Sequence, residues 1–451
     1  MQSKTQLFES ENINTSMLKL AYPSIIAMLF TALAQIITSA YVGILDDTSL
    51  LATVAVVFPV FTAINALGQM VGIGASALGG RTLGKSKNQE FKGIAATSLI
   101  IGIIIAASVS VLGLIFIDNL ANFIGVTNDT KEYSYTYLKL LLIFAIFPIL
   151  NMIFNNLFRC LGQVLHSMNT MLLAAFLNIG LDALFLFVFK LKALGLIIAL
   201  VVSQASAVAY SVIYFLVKKE ISIKAIKNIE ILDLLKEILA VGGPTFLMQL
   251  FSSIAFGLLN SAAAKISTKA VAGFGIGNKI YMLIFQTILG YTQAFLPFCA
   301  YNYGKKEKDR LNKGLGFSII LTALVGLFFT LLFVFFKRPI CSIFSSNNDV
   351  ISNASLSLWV HSLPLTLVAF IQTLTVYYQG VKKPLLAATL SLTRQGLFLI
   401  PLAFFMPKIF KGSYLAITLV QPIADCLCFI LTLMIFLINY KKFIKKSNNP
   451  S

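Results

Sequence analysis

Few residues in this 451-residue chain have side chains that could do chemistry, and several of those lie inside long apolar runs. Asp182 is in the middle of one, in the segment Asn178-Ile-Gly-Leu-Asp182, and Asn178 stands four residues before it. On a helix that spacing puts both side chains on one face. Placing a carboxylate in such a run costs about 2.5–3.5 kcal/mol on insertion scales, so a chain that keeps one has a use for it. The chemistry on offer is that of a coupling-ion site, where a carboxyl takes up and gives back a proton or holds a cation. The plainer alternative is a hydrogen-bonded pair that joins helices. Arg394 and Asp425 lie at similar depth in the last two runs. A buried guanidinium needs a carboxylate, and Asp425 is the nearest by depth. They form either a static ion pair or a second proton-sensitive site. Asn151, Asn155 and Arg159 recur every four residues in another run. With Gln35, Gln249 and Gln286 they are candidates for lining a water-filled cavity, and a polar seam between helices is the competing reading.

No enzyme motif is present. The two histidines, His166 and His361, belong to no HExxH, and no GxxxxGK[ST] loop could hold a nucleotide phosphate. The glycines of Gly273-Phe-Gly-Ile-Gly277 lack the strand that a dinucleotide site needs. The five cysteines show no metal-ligand spacing. The expectation is therefore no catalytic residue, no resident metal and no cofactor, only a transported proton or sodium ion.

The elements that must position these side chains are helices in a bilayer. The chain is 58% hydrophobic and 12% charged, against roughly 25% charged residues in a soluble domain. Twelve apolar runs are read at 18–44, 51–80, 94–117, 135–158, 168–189, 194–217, 240–264, 271–300, 315–336, 356–379, 385–406 and 414–439. Each is long enough to cross a hydrocarbon layer of about 30 Å, and helices satisfy their own backbone there. The net charge of +18 invites a nucleic-acid reading, but the charges follow topology. With both termini placed inside, 23 of the 35 Lys and Arg residues fall on inner segments and 10 on outer ones. The positive-inside rule then predicts a multi-pass membrane protein with both termini cytoplasmic, partnered by lipid and not by nucleic acid.

The runs form two sets of six, and landmarks recur between the sets. Pro23 matches Pro244, Gly84-Lys85 matches Gly304-Lys305, Asn128-Asp129 matches Asn348-Asp349, Pro148 matches Pro364, and Gly162 matches Gly380. An even number of spans per half inserts both halves the same way up. The fold class expected is an all-α integral membrane protein: twelve transmembrane helices in two six-helix lobes, 1–225 and 226–451, related by a pseudo-two-fold along the membrane normal. A stripe at Gly68, Gly72, Ser76, Gly80 and Gly84 predicts a close helix approach.

On these residues the chain resembles the multidrug and toxic compound extrusion (MATE) family, bacterial branch, over essentially its whole length. The resemblance is carried by Gln293-Ala-Phe-Leu-Pro297 with Asn302-Tyr-Gly304 and Asp309-Arg310, by Arg394-Gln395-Gly396 with Pro401, by Gln421-Pro422-Ile-Ala-Asp425, and by Asn178 and Asp182. It implies a V-shaped pair of lobes and export of organic, often cationic, compounds driven by a sodium or proton gradient. It also implies a cation site in the first lobe made of an Asp in the first span, the Asn and Asp of the fifth and a Thr in the sixth. Here Asn178 and Asp182 match, Thr38 stands where the first-span Asp is usual, Leu200 replaces the Thr, and Ala183 replaces a usual Pro.

With those oxygens gone, a proton suits the site better than sodium, because a hard cation wants several oxygen ligands. The leading expectation is a proton-coupled antiporter, monomeric, acting on a small organic cation. An exporter of lipid-linked saccharides from the same superfamily, or a non-transporting membrane sensor or scaffold, are the alternatives.

Overall fold

The computed structural model describes residues 6–45, 47–228, 231–410 and 413–448, and among them it is all helix and connecting turn, with no strand. The helices are α1 (Gln6–Glu9), α2 (Ile13–Ile44), α3 (Thr48–Gly84), α4 (Asn88–Ile115), α5 (Ile117–Ile124), α6 (Lys131–Ile143), α7 (Ile146–Cys160), α8 (Val164–Ala183) and α9 (Lys192–Val217). They continue as α10 (Ile231–Ala264), α11 (Thr268–Lys305), α12 (Lys308–Ser342), α13 (Asn348–Ser362), α14 (Leu365–Gly380), α15 (Pro384–Leu392), α16 (Ile400–Ile409) and α17 (Tyr414–Asn448). Among the described residues ten helices are long and apolar enough to span a membrane, and two bent pairs raise the number to twelve, six in each half.

Local chemistry starts several of these helices. The Asn12 side chain accepts from the Thr15 N–H at 3.1 Å and Asp47 from the Leu50 N–H at 3.0 Å, so both act as N-caps. The runs at 135–158 and 356–379 are not single rods. The first divides into α6 and α7, bent by 50°, and the second into α13 and α14, bent by 48°. Pro148 sits in the first turn of α7 and Pro364 immediately before α14. A proline suits a helix start, and each of these two sits where the second segment begins, whereas Pro23, Pro59, Pro244, Pro297, Pro339, Pro407 and Pro422 lie inside helices that continue past them. Two wide π turns, at Leu184–Val188 and Thr393–Leu399, interrupt the spans that carry Asp182 and Arg394.

The helices group into two compact units. The first holds Met1–Gln249, Leu289–Gly314 and Gln379–Lys382, and the second holds Leu250–Ile288, Leu315–Tyr378 and Lys383–Ser451. In the first, the stripe on α3 packs closely along its length. Its end is the tightest point: a Cβ added to Gly84 would stand 2.1 Å from the Tyr301 carbonyl oxygen, and one on Gly304 would stand 2.2 Å from the Arg81 carbonyl oxygen. Ion pairs flank the crossing. Arg81 meets Glu237 at 2.5 Å. Glu9 accepts from Lys305 at 2.8 Å and from the Tyr301 hydroxyl at 2.6 Å. The second unit is centred on Ala255, Leu259, Phe274, Leu399, Ile417 and Val420.

Two measurements check this packing. Gly84→Val forces two backbones apart, costs about 1–3 kcal/mol as over-packing does, and lowers the thermal midpoint of the purified protein. Gly43→Ala, whose added Cβ meets nothing within 4 Å, leaves the midpoint in place. Lys305 and then Tyr301 hold the Glu9 carboxyl below the usual carboxylate range. A depressed carboxyl stabilises above its unfolded-state value, and the contribution disappears as pH falls through its folded value. The small midpoint difference between wild type and Glu9→Gln therefore shrinks from pH 7 to pH 3.

Candidate cation-coupling site and the buried polar networks

Asp182 lies one residue from the end of α8 and is 0% exposed. The Thr38 hydroxyl, from α2, donates to its Oδ2 at 2.5 Å. Its Oδ1 is buried and has no hydrogen-bond partner. The Tyr137 side chain of α6 lies within electrostatic reach. Val42, Leu50, Leu186, Ala193 and Leu196 form an apolar cluster with Tyr41 and Tyr137 around this end of the helix. The π turn begins at the second residue after Asp182, and wide turns of this kind concentrate at functional sites. Asn178 is half-buried on the same helix, and no hydrogen bond joins it to Asp182. Leu200 offers only its backbone carbonyl, which accepts from the Ser203 hydroxyl at 2.8 Å. A carboxylate with one hydroxyl and one free oxygen can hold a proton, and it can attract an organic cation when the proton leaves.

The stripe on α7 is a connected network. Asn151 donates to Gln204 Oε1 at 2.6 Å, and Asn155 donates to Asn151 Oδ1 at 2.9 Å. The Ser167 and Thr170 hydroxyls donate to Asn155 Oδ1 at 3.0 and 2.8 Å. Asn156, which the spacing argument did not single out, donates to Gln69 at 2.8 Å. Arg159 is 1% exposed. It donates to Gln293 and, at 3.4 Å, to the Met171 sulfur, and its Nε has no partner. Of the other cavity candidates, Gln35 is exposed, while Gln249 and Gln286 are half-buried.

In the second unit Arg394 Nε donates to Asp425 Oδ1 at 2.7 Å, with both side chains buried. The guanidinium also lies 5.4 Å from the Phe285 ring centroid. Tyr281 faces the pair, and its ring stands 5.8 Å from that of His361. Sequence reasoning did not connect these two residues to the pair, since only tertiary packing brings them there. Arg394 Nη1, Asp425 Oδ2 and both His361 nitrogens complete no hydrogen bond.

Cutting Asp425 to Ala leaves a buried guanidinium uncompensated. The expected cost is about 3–5 kcal/mol, read as a fall in the thermal midpoint. The double change Arg394→Met with Asp425→Leu recovers most of that loss if the pair is structural alone. If the pair also serves transport, the double variant regains stability and still fails to move substrate.

Comparison with known proteins bears on the family and the fold. The MatE family model matches residues 23–184 and again 244–405. The chain is similar to the multidrug export protein MepA of Staphylococcus saprophyticus, 26% identical over 433 residues, covering 95% of this chain and 94% of that protein. MepA of Staphylococcus aureus is likewise 26% identical, over 434 residues, with the same shares covered. The structure superposes on a multidrug resistance MATE family transporter of the MOP superfamily in an outward-facing conformation, with a TM-score of 0.90, 23% identity and 98% of each chain covered. It also superposes on a MATE in the straight conformation, with a TM-score of 0.91, 23% identity and 99% of each chain covered. At these identities the structural likeness shows the fold. The repeated family match covers most of the chain: it belongs to the MatE family and is a membrane transporter, not an enzyme.

Proposed function

We propose that the chain is a proton-coupled antiporter that exports organic, chiefly cationic, compounds by alternating access between two lobes, 1–225 and 226–451. The observation that carries the reading is the solitary carboxylate: Asp182 is fully buried, held by Thr38 alone, with Oδ1 free. A sodium ion would need several oxygens around it, whereas a proton needs one. The multidrug export assigned to the MepA relatives supports the substrate class. The excess of Lys and Arg on one set of loops supports a cytoplasmic location for both termini.

Three steps follow from the residues. Ionised Asp182 attracts a cationic substrate. Arrival of a proton on Oδ1 removes that attraction and releases the substrate. The neutral carboxyl, still tied to Thr38, then permits return. A ligand moves such an equilibrium only by binding one state better than the other, and here the proton supplies the difference.

The test is flux of ethidium in liposomes under an imposed pH gradient and, separately, an imposed sodium gradient. The pH gradient alone drives flux in wild type, and Asp182→Asn reduces it to the passive leak. Ethidium binding by wild type weakens as pH is lowered, while the residual binding of the variant stays level. Gradient-driven flux that survives in Asp182→Asn, or that responds to sodium alone, overturns the assignment.

A further inference from the structure

A groove on the outside of the first unit has no place in that cycle. It is an open depression at the end of α9, lined by Tyr210, Ile213, Tyr214, Val217 and Lys218, with a volume of about 220 Å³. A drug-sized ligand takes about 300–1,000 Å³, so this is not a second export cavity. Its flank is open: Ile213 is 63% exposed, Leu216 64% and Val217 70%. On a membrane-spanning helix, large aliphatic side chains left this bare face lipid.

The inner wall is joined by one hydrogen bond and by ring contacts. The His166 ring, from the first turn of α8, is hydrogen-bonded through Nδ1 to the Tyr210 hydroxyl at 2.7 Å. It lies 4.3 Å from the Tyr214 ring and is stacked on Phe158 at 5.7 Å. Tyrosines with an apolar body and a polar tip suit the boundary between hydrocarbon and headgroups. The mouth is basic. Helix α9 ends in a left-handed turn at Lys219, φ 53°, with the Glu220 N–H returning to the Phe215 carbonyl at 3.0 Å. That turn leaves Lys218 and Lys219 exposed while Glu220, the one acid of the segment, is buried at 3%. Exposed Lys224 and Lys227 follow in the connection to α10. A further backbone bond, Ser222 N–H to the Lys92 carbonyl at 3.4 Å, ties this basic turn to the start of α4.

We infer that this groove is a site for an anionic phospholipid of the surrounding bilayer, with an acyl chain against Ile213, Tyr214 and Val217 and the phosphate at Lys218 and Lys219. Charge and shape agree on this occupant. The apolar trough opens sideways to lipid and ends at two outward ammonium groups, and each lysine near a membrane surface strengthens binding of an anionic headgroup about fivefold. The bound lipid braces α8 against α9 through the His166–Tyr210 contact.

Native mass spectrometry of the full chain in detergent tests the site, with dioleoyl phosphatidylglycerol and dioleoyl phosphatidylcholine offered in competition. Wild type retains the phosphatidylglycerol in preference, and its thermal midpoint rises with that lipid alone. The double variant Lys218→Gln and Lys219→Gln loses the preference. Val217→Trp keeps both charges but fills the trough, and it loses the retained lipid. All of these positions are exposed, so folding is undisturbed, and an unshifted gel-filtration peak checks it. Equal retention of the two lipids by wild type overturns the proposal. So does an unchanged preference in either variant, or a co-purifying protein on this face in place of lipid.

Discussion

A hydrocarbon layer offers no hydrogen bonds, and the design of this molecule follows from that constraint. Among the described residues the long apolar segments are helices, because a helix satisfies its own backbone in lipid. Side-chain polarity is rationed in the same way. The Asn and Gln residues of α7 and its neighbours saturate one another, from Asn151 through Gln204, Asn155, Ser167 and Thr170. Arg394 is answered by Asp425. The saturation is incomplete, since Arg159 Nε, Arg394 Nη1 and Asp425 Oδ2, like Asp182 Oδ1, are buried without a hydrogen bond. What sets Asp182 apart is a buried carboxyl whose one hydrogen bond comes from the Thr38 hydroxyl. On the cycle proposed above, its missing partner is the proton that arrives from outside.

The same constraint places the irregular backbone. The π turns at Leu184–Val188 and Thr393–Leu399 fall beside Asp182 and around Arg394. The broken spans restart at Pro148 and Pro364, which correspond between the two halves. Irregularity in a membrane helix frees backbone groups at a cost, and it is tolerated where surrounding protein can meet them. Its repetition in both halves ties it to the architecture that the duplication preserves.

Much of this was legible in the residues. Length and apolarity announced the spans, and recurring landmarks announced the duplication. Asp182 was visible because a carboxylate in an apolar run is costly, and the Arg394–Asp425 contact because a buried guanidinium must find a carboxylate. What stayed hidden depends on rotation about helix axes. The spans are apolar almost all round, so no amphipathic stripe says which way a residue points. Gln35 is exposed, Asn178 shares a face with Asp182 without bonding to it, and the partners of Asn156 and Tyr281 come from distant helices. The prolines were legible, but whether each kinks or restarts a helix depends on what packs beside it. The π turns had no signature in residue type.

The arrangement of buried charge has an electrical consequence. In the second unit Arg394 and Asp425 stand 2.7 Å apart and sum to nothing, so moving them through a field does little work. In the first unit Arg159 and Asp182 are both buried and stand apart from one another. Arg159 reaches the level of Met171 on α8, and Asp182 lies eleven residues further along the same helix, about 16 Å at about 1.5 Å per residue. With Asp182 ionised, these charges make a dipole lying along a membrane-crossing helix. With Asp182 protonated, its negative end is erased and an unbalanced cation remains. A unit charge crossing 100 mV exchanges about 2.3 kcal/mol with the membrane potential. On the proposed cycle, the charge along this helix therefore responds to the voltage differently with each proton bound or lost, while the Arg394–Asp425 pair stays neutral.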